Sequence, residues 1–112
     1  MTQKELSQLY YLRREVEMDT RRLRALESGA SPASDEEQAA LRRIIRAKRR
    51  RCARERRRLE AWIAAVEDSR LRQILTCRFV DGLSWRQTAL RTGGGNSADG
   101  VRMAVKRFLR EK

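Results

Sequence analysis

Apolar residues in the first third of the chain recur at helical intervals. Leu9, Leu12, Val16, Leu23 and Leu26 are separated by three, four, seven and three residues, and Asp19 occupies the skipped step. This is a heptad seam with one polar interruption. It predicts a helix over 3–28, roughly 40 Å long at about 1.5 Å per residue. Leu6 and Tyr10 widen the stripe at its start. A second series, Leu41, Ile45, Lys48, Cys52, Glu55, Leu59, Trp62 and Val66, alternates four and three and predicts a helix over 35–66, with Lys48 and Glu55 as its weak positions. Between the two, Gly29 is suited to end the first helix and Pro32 to stop it resuming. Ser34 with Glu37 three residues on is a capping-box signature, and Asp35, Glu36 and Glu37 suit the positive end of a helix dipole. An amphipathic rod must bury its stripe. Two seams joined by a short loop therefore predict an antiparallel helical hairpin. The polar breaks make a bare hairpin marginal, so docking to the rest of the chain, or self-association through the hairpin, is expected.

The remaining segment, "DSRLRQILTCRFVDGLSWRQTALRTGGGNSADGVRMAVKRFLREK", reads as three short helices. Over 68–81, Leu71, Ile74, Leu75 and Phe79 share one face, with Asp68 or Ser69 as the cap and Gly82 as the stop. Leu83 then precedes Ser84, which forms a second capping-box signature with Gln87. A two-turn helix over 85–91 turns Trp85, Ala89 and Leu90 inward, and Ala89 is small enough for a close helix crossing. Thr92-Gly93-Gly94-Gly95-Asn96 is a turn. The triple glycine is not a phosphate loop, because a preceding strand and a Gly-Lys-Ser/Thr ending are both missing. A last helix over 97–110 places Val101, Val105, Phe108 and Leu109 inward, with Met103 or Ala104 at the margin. The fold class is all-α: a coiled-coil-like N-terminal hairpin (1–67) followed by a three-helix helix-turn-helix unit (68–112).

Composition supports that class, with one proline, 5% aromatic residues and a wealth of Arg, Leu, Ala and Glu. The formal charge of +12 is uneven: 1–34 hold six bases against five acids, 35–67 eleven against six, and 68–112 ten against four. Such a field draws a polyanion, nucleic acid before anionic membrane. Residues 42–58 alone carry eleven Lys or Arg against Glu55. That run is either a solvated face, partly neutralised by Glu15, Glu17 and Asp19, or a surface for phosphates or an acidic partner. With no histidine, Cys52 and Cys77 cannot form a zinc site of the usual spacing, and they read as small apolar fillers in a reducing compartment. No nucleophile–base pair, metal set or cofactor cradle can be assembled, so no enzyme and no cofactor is expected. The polar start and the lack of a run of about 20 apolar residues predict a cytoplasmic protein with no membrane span.

Early residues of a recognition helix reach base edges, and later basic ones reach phosphates. Ser97, Ala98, Asp99, Arg102 and Met103 are accordingly base-facing candidates. Arg102 leads, since arginine grips guanine O6 and N7 with two hydrogen bonds. Asp99 serves the helix start, or else accepts from a cytosine amine. Arg86, Arg91, Lys106, Arg107 and Arg110 are candidates for positioning on phosphates.

"RLRQILTCRFVDGLSWRQTA", with "DGVRMAVKRFLR" after the glycines, resembles the fourth region of bacterial sigma factors, which binds the −35 promoter element. It is similar, more narrowly, to small sigma-like phage and integrative-element regulators of Gram-positive bacteria, including ArpU-type activators, in which a helical segment precedes a C-terminal helix-turn-helix. Ser84-Trp85 is typical of the phage group. The chain departs from the pattern at Gln87, Thr88, the expanded glycine turn and Gly100, and nothing in it resembles the polymerase-binding second region of a sigma factor. The resemblance implies a sequence-specific regulator of phage or prophage type, bound to double-stranded DNA, with RNA polymerase as a further candidate partner. Two other readings stay open: a small terminase subunit that recognises packaging-site DNA, and a basic coiled-coil adaptor for an acidic protein.

Overall fold

The computed structural model describes residues 1–29 and 34–111. Among them the regular structure is entirely helical: α1 (Gln3–Leu6), α2 (Gln8–Glu27), α3 (Asp35–Ala64), α4 (Ser69–Leu75), a π-helical turn (Thr76–Val80), α5 (Trp85–Thr92) and α6 (Ala98–Arg110). The expected all-α class is what the structure shows.

The predicted first helix is broken once. Thr2 and Glu5 form a capping box at the start of α1, and the Thr2 backbone N–H donated to Glu5 holds that carboxyl below its ordinary value. At Ser7 the hydroxyl donates to the Gln3 carbonyl at 2.9 Å and ψ flattens to −8°. A serine that bonds back one turn competes with the backbone ladder and bends the helix there. Leu6 is fully buried as expected, but Tyr10 is 44% exposed beneath the Arg14 guanidinium. α2 ends at Ser28 and Gly29, whose φ is +76°. The helix stop expected of Pro32 falls outside the described residues. Ser34 caps α3, accepting from the Glu37 N–H at 3.1 Å.

α2 and α3 pack as the expected hairpin, and their polar interruptions meet. Lys48 Nζ donates to Asp19 at 2.7 Å and lies 3.2 Å from Glu15. The skipped step of one seam faces a weak position of the other, and the two carboxylates raise the Lys48 pKa. Glu55, the other weak position, pairs with Arg58 at 3.1 Å. At its C-terminal end α3 leaves α2 and meets the shorter helices, so its buried face rotates. Ile63 is buried there, while Trp62 is half-buried against Phe108 of α6 with ring centroids 5.9 Å apart.

A single apolar cluster joins the base of the hairpin to the C-terminal helices: Leu6 and Leu9, then Leu59, Ile63 and Val66, then Ile74, Leu75, Phe79 and Val80, then Ala89, Val101 and Val105. The π turn is what lets one short segment supply four of these. Residues 74 and 79, or 75 and 80, are five apart. An α-helix would splay them, whereas i→i+5 bonding brings them onto one side. The Asp81 N–H donates to the Thr76 carbonyl at 2.9 Å, closing that wider turn. The expected helix over 68–81 therefore exists, capped by Asp68, but its second half is π rather than α.

Candidate nucleic-acid interface

α5 and α6 are the two halves of the helix-turn-helix-like segment, and local chemistry fixes each end. Ser84 and Gln87 exchange both bonds of a capping box. Arg78 lies over the Trp85 ring, 4.7 Å from its centroid, and donates to the Leu83 carbonyl at 2.9 Å. Trp85 also meets Phe79 edge-on at 6.0 Å. These contacts clamp the turn at Gly82 onto the π segment and set the direction in which α5 leaves.

Ala89 (4% exposed) and Thr88 (0%) face the core from α5. Leu90, expected inward, is 75% exposed, which corrects that reading. Trp85, Thr88 and Ala89 stand at i, i+3 and i+4 and define the buried stripe, and Leu90 lies a further 100° round the helix. The Thr88 hydroxyl is buried with no hydrogen-bond partner in the structure.

Gly93, Gly94 and Gly95 all have positive φ, at 71°, 64° and 75°. Three left-handed residues in sequence turn the chain sharply, and Asn96 folds back so that its amide donates to the Gly93 carbonyl. Arg70, at the start of α4, holds that asparagine with two hydrogen bonds of 2.7 and 3.1 Å. The next residue, Ser97, caps α6 by accepting from the Gly100 N–H at 3.0 Å.

α6 is anchored by Val101 (0%) and Val105 (1%), with Phe108 and Leu109 half-buried behind them. Asp99, Met103, Lys106, Arg107 and Arg110 are exposed on its outer side. Arg102 sits at the flank, its side chain 38% exposed and 3.5 Å from the Asp99 carboxylate. Ala98 is half-buried, and the Ser97 hydroxyl is engaged as the cap. Of the base-facing candidates, Asp99 and Met103 thus lie outermost. Arg86 and Arg91 project from α5, both exposed. Among the described residues Arg86, Arg91, Lys106, Arg107 and Arg110 enter no ion pair, so their charge is available to an anion.

Several other arginines hold the fold together. Arg13 of α2 donates to the Val80 carbonyl at 2.5 Å, tying the hairpin to the end of the π turn. Arg72 donates to the Val66 and Glu67 carbonyls at 2.6 and 2.8 Å, satisfying the chain just past α3. With Arg70 and Arg78 they give four cations whose partners are carbonyls or an amide; those of Arg72 and Arg78 lie five or six residues away, whereas Arg13 and Arg70 reach 67 and 26 residues along the chain. No helix is long and apolar enough to cross a membrane among the described residues. No protein-family model, no curated protein and no solved structure matches the chain.

Proposed function

We propose that this protein is a sequence-specific DNA-binding transcriptional regulator of phage or prophage type, with α6 entering the major groove. The observation that carries the reading is the two-sidedness of α6. Its inner side is locked by Val101 and Val105, and its outer side presents Met103, Lys106, Arg107 and Arg110 without ion-pair partners among the described residues. A rigid helix whose exposed side is cationic and follows a capped turn suits groove entry. In this reading Arg102 releases Asp99 to reach a base, Asp99 and Met103 meet base edges, and Arg86, Arg91, Lys106, Arg107 and Arg110 position the duplex. RNA polymerase is the further partner this role calls for, and the cytoplasm is where it acts. The resemblance of 70–110 to sigma region 4 supports the same role.

Selection of bound duplexes from a random pool tests it. A recurring motif, bound at least about tenfold more tightly than random DNA, is expected. Arg102→Ala should cost about 1–3 kcal/mol on that motif and relax one or two positions. Enrichment of no motif would overturn the proposal.

A further inference from the structure

α3 carries a row of arginines directly opposite its apolar seam. Arg43, Arg46, Arg50, Arg54 and Arg57 follow one another at three, four, four and three residues, the spacing that keeps side chains in line along one helix face. All five are exposed. Six acids beside or on α3 attend to other cations: Glu27 to Arg42, Glu15 and Asp19 to Lys48, Glu60 to Arg56, and Glu5 and Glu55 to Arg58. The five arginines of the row enter no ion pair among the described residues. A face built only for solvation alternates acids and bases at i,i+4. This one sets like charges beside like at every step, which opposes helix formation unless an external anion neutralises them.

We propose that this row is a second DNA-binding surface, one that grips the sugar-phosphate backbone of a duplex without reading its sequence. From Arg43 to Arg57 the row is about 21 Å long at about 1.5 Å per residue. Over that length a duplex carries about 12 backbone charges around its circumference, both strands counted, so the side turned to the row offers several to its five arginines. An acidic protein fits less well, because stable protein interfaces need several apolar or aromatic anchors, and Ile44, to one side of the row, is among the described residues the one large apolar side chain exposed on α3. A membrane surface fits less well again, because the apolar residues a surface-lying helix inserts are here Leu41, Ile45, Leu59 and Ile63, all buried in the fold. Arginine binds phosphate in the same two-pronged way that it binds carboxylate, so no other group is needed.

The test uses the full chain and a fluorescent random-sequence duplex, so it does not depend on base recognition by α6. The triple variant Arg46→Gln, Arg50→Gln and Arg54→Gln is compared with the unaltered protein across salt concentrations. Loss of three phosphate contacts lowers the slope of log affinity against log salt by about 2.7. Between 50 and 200 mM salt the variant then loses about 40-fold less affinity than the parent. Helicity and melting temperature serve as the folding control, and relief of charge repulsion should leave both unchanged or raised. An unchanged slope in a folded triple variant overturns the proposal, as does displacement of the duplex by polyglutamate, charge for charge, as effectively as by unlabelled DNA. If the pool selection yields no motif but the slope still falls, the row stands and the regulator reading alone fails.

Discussion

Thr88 is the residue where sequence and environment disagree most. Its side chain is fully buried, and its hydroxyl has no partner in the structure. A buried hydroxyl without a partner costs about 1–3 kcal/mol of desolvation, and removing it while keeping the shape recovers part of that. Thr88→Val is therefore expected to stabilise the fold by about 1 kcal/mol in urea denaturation. A loss of stability would show that the hydroxyl is satisfied. The two cysteines separate on the same ground of burial. Cys77 is 7% exposed, and burial pushes its thiol pKa up, while Cys52 is only half-buried. A thiolate-trapping reagent at neutral pH should modify Cys52 at least about tenfold faster than Cys77 in the folded protein, with the two rates converging in urea. Equal rates in the native state would contradict the packing around the π turn.

Among the elements, the connection between α5 and α6 decides where the outer side of α6 points. Gly93 has φ 71° and ψ −157°, a region essentially closed to residues with a side chain. Nothing lies within 4 Å of an added Cβ there, so the cost of substitution is backbone strain alone. Gly93→Ala is expected to destabilise by about 2 kcal/mol. On the proposed role of α6, it should weaken specific DNA binding more than the loss of folded protein accounts for, since the turn also sets the angle of α6. An alanine variant as stable as the parent would mean that this turn is not rigid. The elements also show what could be read from sequence. Helix order and most inner faces were legible because burial repeats at the helical period, and Ser84 with Gln87 or Gly29 marked ends through local chemistry. The break at Ser7 and the π turn were not legible. Each is one bond or one residue out of register, and it is decided by which side chains fit the shared core. Leu90 was misplaced because hydrophobicity favoured it over Thr88, although the phase set by Trp85 and Ala89 left it outside. In the candidate interface, the same phase identified Lys106, Arg107 and Arg110 as outward-facing. The 3.5 Å pair between Arg102 and Asp99 needed coordinates, as did the distant partners of Arg13 and Arg70.

As a whole the molecule is long, 53 × 24 × 18 Å, and unevenly secured along that length. The base of the hairpin shares the apolar cluster with the C-terminal helices, and Arg13 adds a polar tie to the π turn. Further out, the hairpin has Leu41 and Ile45 buried, Leu23 and Leu26 half-buried, and the Lys48 group with Asp19 and Glu15 between them and the base. A matched polar pair inside a helical seam fixes register, because a slipped alignment would set Lys48 and Asp19 each against apolar side chains. The arrangement carries its own pH dependence. The folded-state pKa of Lys48 is raised, first by the hydrogen bond to Asp19 and then by that to Glu15. Its contribution to stability is complete below the unfolded value near 10.5 and is lost as the pH climbs through the higher folded value. Deprotonation then leaves Asp19 facing Glu15, one turn apart on α2, with no cation between them. Lys48→Met should lower stability by no more than about 1 kcal/mol at pH 8, ordinary for an ion pair that water still reaches. The gap between variant and parent should close as the pH rises from 10.5 through the higher folded value. Amide exchange should report the same change spatially: in Lys48→Met the distal residues of α2 and α3 should exchange faster, while Leu59, Ile63 and Val105 keep the parent's protection. A uniform rise in exchange across both regions would show instead that hairpin and helix-turn-helix open as one unit, and that the ion group secures the whole molecule rather than its far end.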